Sequence, residues 1–95
     1  MIYTNVLVRV KDPADVDEIR SLLAEQAKLS RAEPGCARFE VYQSEKDPTL
    51  FVLVERWESA EALEEHRKGK AYTEIYQAKV LPKVERDSHR CSLVE

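Results

Sequence analysis

The sequence predicts one α+β domain over residues 1–95, with elements in the order β-α-β-β-α-β. Three observations carry that prediction. Apolar residues alternate with period two in Tyr3–Val10 and Cys36–Gln43, and Leu50–Trp57 is apolar nearly throughout. Apolar residues recur at helical spacing after Pro13 and after Ser59. Asp12-Pro13, Pro34-Gly35 and Asp47-Pro48 separate these runs with residues that stop or start elements.

The first strand, Tyr3–Val10, is rich in β-branched residues and ends at Lys11-Asp12-Pro13. Asp12 supplies an N-cap acceptor and Pro13 a backbone angle suited to a first helical turn. Val16, Ile19, Leu23, Ala27 and Ser30 then form one stripe, widened by Leu22, and Asp17, Glu18, Arg20, Glu25 and Lys28 fill the other face. Pro34-Gly35 stops this helix. In the second strand Ala37, Phe39 and Val41 should share one side, and Cys36, Arg38, Glu40 and Tyr42 the other. Residues 44–49 form a turn.

Leu50–Trp57 is apolar on both sides, so both should be covered. One side can meet the helices. A second copy of the chain is the economical cover for the other. Ser59 caps a second helix that carries Ala62, Leu63 and His66 inward. Gly69 weakens it, and Tyr72, Ile75, Tyr76, Lys79 and Val80 resume the period up to Pro82. Ser88–Val94 is expected to be the last strand. Two strand-helix-strand halves joined by a hairpin favour a ferredoxin-like sandwich, with an antiparallel sheet and both helices on one face. Two such sheets face to face make a dimeric α+β barrel.

Composition excludes several functions. The chain is 43% hydrophobic and 35% charged with net charge -3, and no basic stripe interleaved with aromatics suggests nucleic acid. The N-terminal segment is too polar for a signal peptide or a membrane span, so a cytoplasmic location is expected. Cys36 and Cys91 are then expected to be free thiols. With only Gly35 and Gly69, neither a dinucleotide-binding turn nor a phosphate-binding loop can be built. No histidine–carboxylate spacing suggests a metal site. Any enzyme here is expected to work without cofactor or metal.

One ordered set of residues is more specific. Pro34-Gly35-Cys36-x-Arg38-Phe39-Glu40-Val41 leads to Phe51–Ser59, which contains Glu55-x-Trp57, and then to Ala62-Leu63-x-x-His66 and Tyr72. This set resembles the antibiotic biosynthesis monooxygenase (ABM) domain over essentially the whole chain. The resemblance implies the same fold, a homodimer, and a small-molecule pocket between helices and sheet. It also implies one of several chemistries: cofactor-free oxygenation of anthrones or quinols, haem degradation, or isomerisation of a phosphorylated autoinducer-2 product. Asn5 matches an asparagine of the haem-degrading members. Their tryptophan position carries His66 and their haem-ligand position Tyr76, which argues against haem degradation. His66 matches the histidine of the quinol-oxygenase and isomerase branches, and Tyr72 a tyrosine of the latter.

The candidate catalytic residues are therefore His66, Asn5 and Tyr72. Imidazole titrates near neutrality, so His66 suits a general base; the alternative is a packed, hydrogen-bonded histidine. Trp57 and Tyr76 are candidate substrate-binding residues; the alternatives are a core anchor for Trp57 and packing with the hydroxyl reaching solvent for Tyr76. The leading expectation is a homodimeric, cofactor-independent monooxygenase of a small quinol- or anthrone-like aromatic. An isomerase and a non-catalytic small-ligand-binding dimer are the rivals.

Overall fold

The structure, a computed structural model, describes all of residues 1–95. Four strands, β1 (Ile2–Val10), β2 (Cys36–Gln43), β3 (Leu50–Trp57) and β4 (Val84–Cys91), form one antiparallel sheet in the order β2-β3-β1-β4. Helices α1 (Val16–Arg31), α2 (Ala60–Lys68) and α3 (Ala71–Val80) cover one face, giving the expected ferredoxin-like sandwich.

Local chemistry explains the element ends. The Asp12 carboxylate accepts from Ala14 N at 3.0 Å, and Pro13–Asp15 makes one tight 3₁₀ turn before α1 proper. Ser59 Oγ accepts from Ala62 N at 3.1 Å and starts α2, which stops at Gly69, where the backbone turns extended. The next segment, α3, is wound wide as a π-helix: Leu81 N donates to Tyr76 O, five residues back. Its buried residues, Ala71, Ile75, Tyr76 and Val80, therefore recur every four to five positions. Lys79, expected in the inward stripe, is exposed for that reason.

The core lies between sheet and helices. Val6, Val8 and Val10 of β1 and Phe51, Leu53 and Trp57 of β3 meet Ile19, Leu23 and Ala27 of α1 and Tyr76 and Val80 of α3. Strand parity follows the sequence pattern in β1 and β3, with two corrections elsewhere. A β-bulge at Ala37 shifts the register between Cys36 and Arg38, so Cys36 pairs with Trp57 and joins the core side, while Arg38 pairs with Arg56 on the open side. The last strand begins at Val84 rather than Ser88 and ends at Cys91 rather than Val94. Only Val84 of it is buried, so pairing with β1, not an apolar pattern, defines it.

The open face carries Tyr3, Asn5, Leu7 and Arg9 of β1 opposite Arg56, Val54, Val52 and Leu50 of β3. Leu7 and Tyr42 are exposed there at 40% and 49%. Cys36 and Cys91 are both free and sit on opposite faces of the sheet, so they cannot pair within one chain.

Candidate functional site

The site is built around His66, on the last turn of α2 and 3% exposed. Its Nδ1–H donates to Glu33 Oε1 at 2.6 Å. Glu33 belongs to the turn after α1, where Glu33 N donates to Ser30 O and Cys36 N to Glu33 O. The carboxylate fits closely against Gly69: a Cβ there would lie 2.8 Å from Glu33 Oε2. With Nδ1–H held by the carboxylate, the basic lone pair of a neutral His66 is on Nε2.

Aromatic rings surround the imidazole. The Trp57 ring lies 4.4 Å from it at 33°, Phe39 at 5.8 Å, and Tyr72 edge-on at 5.6 Å. Tyr76 follows, 5.5 Å from Tyr72. Trp57 is fully buried, and its Nε1–H donates to Glu55 Oε1 at 3.1 Å. Burial pushes the Glu55 carboxyl above the usual carboxylate range, opposed by the Trp57 hydrogen bond and by His66. Burial likewise pushes the Tyr76 phenol up to about 12, with the Arg86 guanidinium working against it. Arg86 stands over the Tyr76 ring at 5.5 Å and near its hydroxyl, but no protein group makes a well-formed hydrogen bond to that hydroxyl. The Cys36 thiol is also pushed up, first by burial, which leaves it a poor nucleophile.

His66 separates two spaces. Outside it, an open hollow of about 450 Å³ is ringed by Glu33, Glu58, Glu61 and Glu65. That rim disfavours anionic guests. Inside, between helices and sheet, a cavity of about 20 Å³ is lined by Thr4, Gln26, Glu55, His66, Tyr72 and Tyr76, with Arg67, Arg86 and Ser88 among its further walls. It has room for about one water-sized group. No cluster of three His, Cys, Asp or Glu side chains could hold a metal ion, and no helix is long and apolar enough to cross a membrane.

The structure brings His66, Tyr72, Trp57 and Tyr76 together and leaves Asn5 out. Asn5 lies on the open face, where its amide donates to Cys91 Sγ at 3.3 Å and accepts from Arg56 Nη1 at 3.1 Å. The sheet stands between Asn5 and His66, so the expected grouping of Asn5 with His66 and Tyr72 does not form. Strand parity is the cause: Thr4, next to Asn5, faces the cavity.

Four polar residues at the site went unread in the sequence. Glu55 carried a signal, being the one charged residue at the inward parity of Phe51, Leu53 and Trp57. Gln26 lies within the α1 stripe, between Leu23 and Ser30, and reads as a polar interruption of it. Glu33 and Arg86 reach the site from a turn and a distant strand, with no local pattern to mark them.

Solved structures share this fold. A conserved protein of unknown function from Bacteroides thetaiotaomicron superposes with a TM-score of 0.89 at 24% identity, over 97% of this chain and 96% of that one. A structure described as an antibiotic biosynthesis monooxygenase gives 0.85 at 21% identity, over 98% and 99% of the two chains. Rv0793 from Mycobacterium tuberculosis gives 0.82 at 28% identity, over 100% and 98%. No curated protein matches the sequence. Residues 1–78 match the model of the antibiotic biosynthesis monooxygenase family, and with most of its length so matched the chain belongs to the ABM family.

Proposed function

We propose that this chain is a cofactor-independent monooxygenase acting on a small, electron-rich aromatic of the quinol or anthrone type. The observation that carries the reading is the buried His66, oriented through Nδ1 by Glu33 and enclosed by aromatic rings. Such a pair combines a base with the group that orients it. Nε2 would remove a substrate proton, and the carbanion or phenolate left behind would reduce dioxygen by one electron. Recombination of the two radicals gives a peroxide. For an anthrone, loss of water from that peroxide leaves one oxygen as the new carbonyl. A dry, aromatic enclosure favours the charge transfer.

The inner cavity admits a single oxygen-sized group, so a ring-sized substrate has to displace Tyr72. That side chain is half-buried and lies just beyond the Gly69 break. Oxygen uptake with a panel of hydroquinones and anthrones tests the reading. His66→Ala is expected to slow uptake about 100-fold or more, the usual contribution of a general base. Equal rates in the two proteins would remove His66 from the mechanism. No uptake by the wild type would favour a ligand-binding dimer without chemistry.

A second reading, an isomerase of a phosphorylated small molecule, is favoured by Arg67 and Arg86 at the cavity wall. It requires turnover of such a substrate with oxygen excluded.

The working unit is proposed to be a homodimer joined through the open sheet face, as the half-buried Leu50, Val52 and Val54 and the exposed Leu7 suggest. Sedimentation at micromolar concentration is expected to give twice the chain mass, and Val52→Lys to give monomers. A wild-type monomer would sink the proposal. A cytoplasmic, reducing location suits two thiols that have no partner within the chain.

A further inference from the structure

We propose that Gln26, Glu55 and Tyr76 form a subsite for one neutral hydroxyl group of the ligand, at the inner end of the cavity beside His66. The proposal rests on the oxygenase reading for the ligand's ring, and on the geometry below for its hydroxyl.

Two polar atoms at this cavity are fully buried and have no well-formed hydrogen bond to a protein group, Gln26 Oε1 and the Tyr76 hydroxyl. Their residues are 1% and 2% exposed. An unmet buried polar atom costs about 1–3 kcal/mol. Native proteins carry few of them, and two converging on one space need a reason. Ser30 Oγ is the third such atom in the chain, and it does not line this cavity.

The chemistry of the lining selects the guest. Gln26 Oε1 only accepts, so the guest must donate. The Tyr76 hydroxyl can donate, so the guest should also accept. Glu55, 7% exposed and with one oxygen taken by Trp57 Nε1–H, is held towards its neutral form by burial. A neutral O–H satisfies this set: it donates to Gln26 and accepts from Tyr76. An oxyanion could not donate to Gln26 Oε1 and would leave that acceptor unmet. The size agrees, since about 20 Å³ admits an oxygen and no ring. The ring would then take the place of Tyr72, with one hydroxyl reaching inward past His66. A site built to hydrogen-bond a hydroxyl discriminates strongly against an analogue that lacks it.

The test compares binding of hydroquinone and 1,4-dimethoxybenzene by NMR titration under nitrogen, so that no turnover occurs. The wild type is expected to prefer hydroquinone about tenfold or more, the effect of one to two neutral hydrogen bonds. Tyr76→Phe and Gln26→Leu should each cut that preference below about threefold and leave binding of the ether unchanged. Each variant also removes a buried polar atom that no protein group satisfies, so neither should melt well below the wild-type temperature. A preference that survives both substitutions, a wild type that binds the two probes equally or not at all, or variants that melt well below wild type would overturn the subsite. Oxygen uptake is read separately. If the hydroxyl preference holds and depends on Tyr76 while no quinol is oxidised, the oxygenase reading fails and the subsite stands.

Discussion

Replacing Trp57 with alanine is expected to destabilise the domain by about 3–5 kcal/mol, the range for removing a large aromatic from a packed core. Domains of this kind hold only about 5–15 kcal/mol in total, so much of the protein would be unfolded under mild denaturant. Trp57 has no exposed surface, contacts the rings of Phe39 and His66, and ends the most buried strand of the sheet. It also donates to the buried Glu55 carboxyl. Trp57→Phe separates the two roles, since it keeps most of the packing and removes the donor.

The Phe variant should depend on pH in a definite direction. Burial raises the Glu55 pKa in the folded state, so its contribution to stability is complete below the ordinary carboxylate value and is lost as pH rises through the folded value. The Trp57 N–H limits that loss by favouring the ionised form. Without it the folded pKa rises further, so the deficit of Trp57→Phe should be small in acid and grow towards neutrality. Denaturant titrations of wild type and variant across that range check this. A deficit independent of pH would mean that the Glu55–Trp57 bond contributes nothing.

Gly35→Ala is expected to cost about 2–4 kcal/mol from two sources. Gly35 has φ +79, a left-handed conformation that side chains with a Cβ resist. An added Cβ would lie 2.5 Å from the Ala62 Cβ on α2, inside any normal contact. A double-mutant cycle with Ala62→Gly divides the cost: the second substitution relieves the collision and leaves the backbone strain. Gly35 also fixes the turn that carries Glu33, because Gly35 O accepts from Glu58 N at 2.8 Å. Moving this turn off α2 moves Glu33 off His66. Any oxygenase activity should therefore fall further than the loss of folded protein explains, and Ala62→Gly should restore part of both. Restoration of neither would place the whole cost in the backbone.

Most of the fold was legible because periodicity reports which face is buried. Cys36–Gln43 begins and ends where the alternation does and Leu50–Trp57 where the apolar run does, and the α1 stripe of Ile19, Leu23, Ala27 and Ser30 is buried as expected. Periodicity fails where it is interrupted or absent. The bulge at Ala37 moves Cys36 to the other face, and nothing in Cys36-Ala37-Arg38 marks it. β4 is almost wholly exposed, so no apolar pattern could locate it.

The site was half legible for the same reason. His66, Trp57, Tyr72 and Tyr76 lie on or beside inward stripes, and they do come together. Asn5 was carried by resemblance against its own parity with Tyr3 and Leu7, and parity decides its place. The Glu33–His66 pair spans 33 positions, and its geometry depends on two turns that no local pattern describes.

The position of β1 in the sheet has a consequence for biosynthesis. β1 hydrogen-bonds to β3 along one edge and to β4 along the other, and Tyr3 lies opposite Cys91. A nascent chain can fold β1, β2 and β3 against α1 while one edge of β1 stays bare, a template for pairing with other chains. Only when residues 84–91 leave the ribosome is that edge filled. The same strand brings Arg86 and Ser88 to the wall of the cavity. Closure of the exposed edge and completion of the pocket thus depend on the same strand.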